Sequence, residues 1–276
     1  MRFEDFARSH GLIINGVVPG KWIATPTEDH PKKRNGRYKY MGDHGWVQNW
    51  ATMQKAVLWK SDRPQRLSPA IYQAVRNSEK EREDMAKKAA ARAGWILHNS
   101  LNAPHPYMDK KGFPDEPTKV WTDDDGNRLL VVPMRINNAL VGVQLIDEQG
   151  HKKFLKGQRS KGASFTMDAK GLPIFCEGYA TGLSIRAVMK LINIRYQIHV
   201  CFSAGNIQEI SRGIPGGIVV ADNDASRTGE NAALETGKPY WISPTTGEDF
   251  NDFHQRVGNF KASQSLKSLI IKAQSQ

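Results

Sequence analysis

The chain has 276 residues, of which 39% are hydrophobic and 24% charged, so it can bury a sizeable core and its length predicts two domains. Its formal net charge of +11 favours a polyanionic partner, most commonly nucleic acid, with a solubilising surface charge as the alternative. No apolar run is long enough to span a membrane, and the first residues lack the apolar centre of a secretory signal.

The cysteines and histidines argue against zinc. Cys176 and Cys201 both lie in apolar, strand-like runs, which predicts small core residues of a protein from a reducing compartment rather than a disulfide. The eight histidines show no metal-ligand spacing. A zinc finger is therefore excluded, and no zinc is expected.

Residues 1–65 are predicted to form a small, basic, strand-poor module rich in glycine and tryptophan. Gly20–Ala24 and Gly45–Trp50 are its strand candidates. They flank a basic turn that contains Asn35-Gly36, a pair typical of hairpins.

Residues 66–168 are predicted to combine a helical brace with an antiparallel basic meander. A helical pattern runs from about 69 to 97, and a proline-rich loop covers 100–118. Leu129–Met134 and Ala139–Ile146 follow as strands, and a third strand begins at His151. This last strand and the loop after it carry five cations: Lys152, Lys153, Lys156, Arg159 and Lys161.

Residues 169–256 alternate between strand and helix patterns, which predicts an α/β fold with a mainly parallel sheet flanked by helices. The predicted strands are 172–176, 198–202, 217–221 and 239–242, and the clearest helix is 181–192. The remaining residues, 257–276, are predicted to be a tail with a short helix at 263–272.

Carboxylates follow two of these predicted strands directly. Glu177 comes after the first, and Asp222 and Asp224 come after the third. Ligands gather at the carboxyl ends of strands in open α/β sheets, so we expect the three acids to converge and to hold Mg²⁺ or Mn²⁺. Asp249 and Asp252 are further candidates, directly or through water. The alternative for all these aspartates is capping of a loop or helix.

The motifs together resemble the TOPRIM domain of primases carried by phages, satellites and conjugative plasmids. The resemblance rests on EGYATG at 177–182, SAGNI at 203–207, ADND at 221–224 and DFND at 249–252. The segment HPYMDKKG at 105–112 and the basic hairpin with KGASF at 161–165 are similar to the upstream part of that family. The resemblance covers about 100–255 well and extends loosely to WVQNW in the N-terminal module.

This resemblance implies a metal-dependent enzyme that joins ribonucleotides into short primers on single-stranded DNA in the cytoplasm of a bacterial host. Glu177 would be the acid/base or metal-positioning residue, and Asp222 and Asp224 would be metal ligands. Many relatives carry a zinc ribbon, which this sequence lacks, so template recognition by a zinc module is not expected. No GxxxxGK[ST] motif is present, so a helicase would be a separate chain.

The cations are candidates for holding nucleoside triphosphates or the template backbone, with a solvated surface as the alternative. Beyond the five of the meander, they are Lys110, Lys111, Lys32, Lys33, Arg34 and Arg37. The candidates for stacking on template bases are Trp46, Trp50, Tyr38 and Tyr40, although tryptophan is more often a core residue than a stacking platform.

Other functions use the same residues. A TOPRIM nuclease needs the same acids, whereas a topoisomerase needs a nucleophilic tyrosine in a large additional domain for which this length leaves little room. A non-catalytic module that binds single strands or docks on a replisome is a second alternative, although buried like charges are costly to keep without use. A small-molecule phosphatase would leave the net charge of +11 unexplained.

Overall fold

A computed structural model describes residues 1–53, 55–62, 68–168 and 170–274, with the side chain of residue 274 excepted. The chain divides into two compact units, Met1–Met85 and Ala86–Gln276, and the division falls within one long helix. The predicted domain boundaries at residues 65 and 169 lie outside the described residues. No helix among the described residues is both long and apolar enough to cross a membrane.

The first unit is built on a four-stranded antiparallel sheet, with strand order β1-β2-β3-β4. The prediction of a strand-poor module was therefore wrong. Its elements are α1 (Phe3–Ser9), β1 (Trp22–Thr25), β2 (Gly36–Tyr40), β3 (His44–Asn49), β4 (Val57–Lys60) and the first part of α2 (Pro69–His98).

One face of this sheet packs against α1 to form an aromatic core. Phe3, Tyr38, Val47 and Trp59 are all buried there. The packing is close, because a β-carbon on Gly45 would lie 2.6 Å from a ring carbon of Phe3. Tyr38 is thus a core residue, and its predicted role in stacking on template bases was wrong.

The second unit begins with the rest of α2 and an antiparallel sheet of order β5-β6-β7-β8-β9, which confirms the predicted meander. Its elements are β5 (Leu101–Asn102), α3 (Pro106–Lys110), β6 (Lys119–Thr122), β7 (Arg128–Ile136), β8 (Ala139–Ile146) and β9 (Lys152–Phe154). On one face, Val131 and Val143 pack against Ala93 and Ile96 of α2. The opposite face joins the main core of the unit.

The remaining elements form an α/β domain around a five-stranded sheet of order β10-β12-β11-β13-β14. Four of the strands are parallel, and β10 runs antiparallel to β12 at the edge. The elements are β10 (Phe165–Met167), β11 (Leu172–Cys176), α4 (Tyr179–Leu191), β12 (Tyr196–Val200), α5 (Ala204–Ser211), β13 (Ile218–Ala221), α6 (Thr228–Thr236), β14 (Tyr240–Ile242) and α7 (Phe250–Gln274). The predicted fold class is confirmed.

Both faces of the parallel sheet are covered, which explains why its strands read as continuous apolar runs. Ile174 and Cys176 face the main core with α4 and α7, whereas Phe175 and Cys201 face α5 and α6. The two cysteines are free and fully buried, as predicted. The predicted tail helix is part of α7, which contains a kink at Gly258.

Candidate active site

The site lies where the strand order of the parallel sheet switches. From β11 the chain passes through α4 to β12 on one side, and then crosses through α5 to β13 on the other side. Cys176 pairs with Val220 in the parallel register, so Glu177 and Asp222 emerge from neighbouring strands at the same edge. Such switch points at carboxyl ends are where open α/β sheets bind ligands.

Asp222 holds a buried carboxylate oxygen that is not satisfied by the protein. Its Oδ1 has no hydrogen-bond partner among the described residues. Burial, followed by the negative charges of Glu177 and Asp249, raises the pKa of Asp222 from 3.8 to about 7. Asp222 is partly buried, and its buried, unpartnered oxygen requires either a proton or a nearby cation.

Glu177 lies near the same charged side chains as Asp222, namely Lys152 and Asp224. Burial raises the pKa of Glu177, the nearby Lys152 ammonium opposes this shift, and a hydrogen bond from the backbone of Ala204 also favours the charged form. Ala204 is the first residue of α5, so the helix start faces this carboxylate. Lys152 comes from β9, and its Nζ lies 3.9 Å from the position that a β-carbon on Gly178 would occupy.

Asp224 acts mainly as a cap, which was the alternative considered for the sequence. Its carboxylate accepts hydrogen bonds from the Ser226 hydroxyl and from the backbone N–H groups of Thr228 and Gly229, at 3.2 Å in the latter two cases. The hydrogen bond from Ser226 is the main reason that the pKa of Asp224 is lowered. Asp224 nevertheless lies close enough to raise the pKa values of both Glu177 and Asp222.

The two acids of the DFND motif differ in their surroundings. Asp249 caps α7, because its Oδ1 accepts a hydrogen bond from the backbone of Asp252 at 2.9 Å. It still contributes to the negative potential at Asp222. Asp252 instead forms an ion pair with Lys111, with an Nζ–Oδ1 distance of 3.1 Å.

The predicted set of five metal-binding carboxylates is therefore not assembled as one group. Within the described ranges, no three His, Cys, Asp or Glu side chains are arranged so that they could hold a metal ion. Asp224 and Asp252 are engaged elsewhere, as described above. The unpartnered oxygen of Asp222, beside Glu177 and Asp249, nevertheless fits a hard divalent cation, because oxygen donors with excess negative charge are what Mg²⁺ and Mn²⁺ prefer.

The predicted basic residues of the second unit differ in their relation to this site. The Lys152 ammonium lowers the pKa values of Glu177 and Asp222. Lys153, the next residue on the strand, instead lowers the pKa of Asp123. Lys110 donates to the backbone oxygen of Glu148 at 2.9 Å. Lys161 pairs with Glu209 at 3.3 Å. Lys156 and Arg159 are exposed.

Four predicted basic residues belong to the first unit. Lys32, Lys33 and Arg34 are exposed in the turn before β2. Arg37 lies on β2, where its Nε and Nη2 donate to Oε1 of Gln48 at 3.0 and 2.8 Å.

Two supporting features were missed from the sequence. Asn206 fixes the basic loop, since its Nδ2 lies 2.8 Å from the Ser160 carbonyl oxygen and its Oδ1 accepts from Gly162 N–H at 2.8 Å. Glu248, beside Asp249, binds Arg256 through Nε–Oε1 and Nη2–Oε2 contacts of 2.7 and 2.9 Å. The SAGNI motif and the glutamate before DFND can be recognised in the sequence. The sequence does not show which residues Asn206 and Glu248 contact.

Comparison with known proteins gives a family-model match and two similar solved structures. The family model described as the Toprim domain matches residues 173–259, so this part of the chain is a Toprim domain. One similar solved structure is the primase fragment of the bacteriophage T7 primase-helicase protein, with 14% identity and a TM-score of 0.43 over 62% of this chain and 75% of that one.

Another similar structure is bacteriophage T7 lagging-strand DNA polymerase interacting with primase domains of two gp4 subunits bound to an RNA/DNA hybrid and dTTP. It shows 16% identity and a TM-score of 0.41 over 60% of this chain and 85% of that one. Both TM-scores are below 0.5, and the domain assignment rests on residues 173–259.

Proposed function

We infer that this protein is a DNA primase that synthesises short RNA primers on single-stranded DNA, for the replication of a phage or other mobile element. One observation carries the proposal: Glu177 and Asp222 leave neighbouring parallel strands of a Toprim domain, and a buried Asp222 oxygen lacks a partner among the described residues. This arrangement suits the transfer of a nucleotidyl group, in which negative charge accumulates at a phosphate.

Each group has a role in this proposal. Glu177, whose pKa is raised, accepts the proton of the attacking 3′-hydroxyl, because a base with an elevated pKa is more effective near neutral pH. Lys152 holds the triphosphate beside the acids. A divalent cation, Mg²⁺ or Mn²⁺, held at the unpartnered oxygen of Asp222 would neutralise charge on the phosphates, and the negative charges of Glu177, Asp249 and Asp224 would favour its binding there. Asp252 would act through Lys111.

The partners follow from this chemistry. Lys153, Lys156, Arg159 and Lys161 are proposed to hold the template backbone, along with Lys110. The substrates are a single-stranded DNA template and nucleoside triphosphates, and a replicative helicase acts as a separate chain. We place the protein in the cytoplasm of a bacterial host.

The test is an incorporation assay with single-stranded templates, labelled ribonucleotides and Mg²⁺ or Mn²⁺. The wild-type chain should make template-dependent oligoribonucleotides, and Glu177→Gln and Asp222→Asn should each make none. Asp115→Asn, which removes an exposed carboxylate outside the site, should retain synthesis.

Two outcomes would contradict the proposal. Shortening of the template without synthesis, lost in the same two variants, would identify a nuclease. Salt-sensitive binding with neither product would identify a non-catalytic binding module.

A further inference from the structure

The first unit presents an open sheet face that the proposed chemistry does not use. Residues alternate between the two faces of a strand, so Arg37 lies opposite the buried Tyr38, on the outer face. Register places Ala24 and Gln48 beside Arg37 on this face. Trp22 lies opposite Lys39 on the same face, and the charges of Glu79 and Arg82 of α2 act on Lys39.

Two exposed indoles flank Arg37. The Cζ atom of Arg37 lies 4.4 Å from the ring centroid of Trp22 and 5.9 Å from that of Trp50. Trp22 is 41% exposed and Trp50 is 47% exposed, which is unusual for such large apolar side chains. The hydrogen bonds from Arg37 to Gln48 hold the guanidinium in place, so the three side chains form a preorganised platform.

The charge around the platform is positive. Strands β1 to β4 contain Arg37, Lys39 and Lys60 but no Asp or Glu. The exposed basic turn Lys32–Arg34 is adjacent, because the Trp50 backbone N–H donates to the carbonyl of Asn35 at 3.0 Å. Asp29 accepts from Asn49, which alternates to the opposite face from Gln48, whereas the charge of Glu79 of α2 acts on Lys39 at the outer face.

We propose that this outer face is a binding site for single-stranded nucleic acid, in which bases stack on Trp22 and Trp50 and phosphates contact Lys32, Lys33 and Arg34. A single strand presents planar bases and a regular array of negative charges, and it is the partner that uses both features. An acidic protein would use the charges without needing the exposed rings. The site involves none of the Toprim acids and needs no divalent cation.

The test compares two strands of equal length, an oligothymidine and an abasic oligomer with the same phosphate backbone, by fluorescence anisotropy on the full chain without divalent metal. The wild-type chain should bind oligothymidine about tenfold more tightly or better. Trp22→Ala and Trp50→Ala should each reduce that preference and leave abasic binding unchanged. Trp95→Ala is the matched control, because Trp95 is also exposed and contacts an arginine, Arg92.

The contribution of the basic turn is measured by the salt dependence of binding. Lys32→Ala combined with Lys33→Ala should reduce the slope of log affinity against log salt by about 1.4, since each phosphate contact on a single strand contributes about 0.7. Equal preference for the two strands in the wild-type chain, or an unchanged preference in both tryptophan variants, would overturn the proposal. Equal weakening of both strands by the tryptophan variants would also overturn it. Displacement of the strand by polyglutamate at equal charge would favour an acidic protein instead.

If an alanine variant does not fold, the wild-type chain still provides the test. Photocrosslinking to a strand containing 5-bromodeoxyuridine should yield adducts at Trp22 or Trp50, and adducts confined to residues 86–276 would overturn the proposal. Base stacking on this face does not depend on primer synthesis. Asp222→Asn should keep the base preference, so a chain that stacks bases but makes no primers would refute only the proposed function.

Discussion

The α-carbon of Gly229, in the first turn of α6, faces the backbone carbonyl of Asp222. A β-carbon at position 229 would lie 2.4 Å from that carbonyl oxygen. Gly229 N–H also donates to Oδ2 of Asp224 at 3.2 Å, so one glycine contacts the segment that carries both aspartates. The absence of a side chain here therefore determines how the ADND loop lies at the end of β13.

Replacing Gly229 by alanine should displace Asp222 by about 1 Å, which is what an ordinary van der Waals distance requires. We expect nucleotide incorporation to fall on the order of a hundredfold, because catalytic groups tolerate little misplacement. The control is Gly205→Ala in α5, where an added β-carbon meets nothing within 4 Å. Equal activity of the two variants would show that the loop adjusts without moving the acid.

We expect Asp222→Asn to make the protein more stable while it abolishes synthesis. The pKa of Asp222 rises from 3.8 to about 7 on folding, so the folded state retains a proton that the unfolded state releases between these values. Stability from this group is therefore lost as the pH rises through that window, and the full penalty applies above about pH 7. Removing the charge should stabilise the protein by ~1–3 kcal/mol at pH 8 while abolishing synthesis.

Thermal unfolding in EDTA from pH 4 to pH 8 measures this effect. The difference between Asp222→Asn and the wild-type chain should shrink toward zero as the pH falls to 4. A variant that is less stable than wild type at pH 8 would mean that the ionised Asp222 is satisfied by a partner.

Lys152 and Lys153 should have different roles although they are adjacent. Lys152 lowers the pKa values of Glu177 and Asp222, so Lys152→Ala should shift the acidic limb of the pH–rate profile to higher pH and reduce kcat about 10–100-fold. Lys153→Ala should raise the KM for template and leave the pH profile unchanged. Identical profiles for the two variants would remove Lys152 from the site.

The two cysteines should not react with thiol reagents in the native chain. Cys176 and Cys201 are fully buried, and burial raises the pKa of both thiols, so little thiolate forms at pH 8. Ellman's reagent should label neither cysteine in the native chain and both in denaturant. Rapid labelling of the native chain would show that the Toprim sheet opens readily.

The sequence predicted the Toprim strands well because they are buried on both faces. Runs such as Ile174–Cys176 therefore remain apolar without interruption. The sheet of the first unit was underestimated because Gly36 and Gly45 occupy its inner face, where an apolar side chain would have revealed the alternation. Helices α5 and α6 are short and carry glycine near their starts, so their periodicity is weak.

The sequence predicts where the site acids lie but not which hydrogen bonds they form. The positions of Glu177 and Asp222 follow from where their strands end, which apolar runs reveal. The capping by Asp224 depends on Ser226 and on the turn before α6, which the spacing of the two aspartates does not encode. Likewise, the register of β2 decides that Tyr38 is buried while Arg37 is on the outer face.

Calorimetric titration of the full chain with Mn²⁺ at pH 8, alongside Asp222→Asn and Asp115→Asn, tests whether Glu177 and Asp222 share a cation. We expect saturable binding to the wild-type chain and to Asp115→Asn, and loss of that binding in Asp222→Asn. Mn²⁺ should raise the melting temperature only of the chains that bind it. Identical Mn²⁺ binding to all three chains would contradict the convergence of Glu177 and Asp222 on a shared cation.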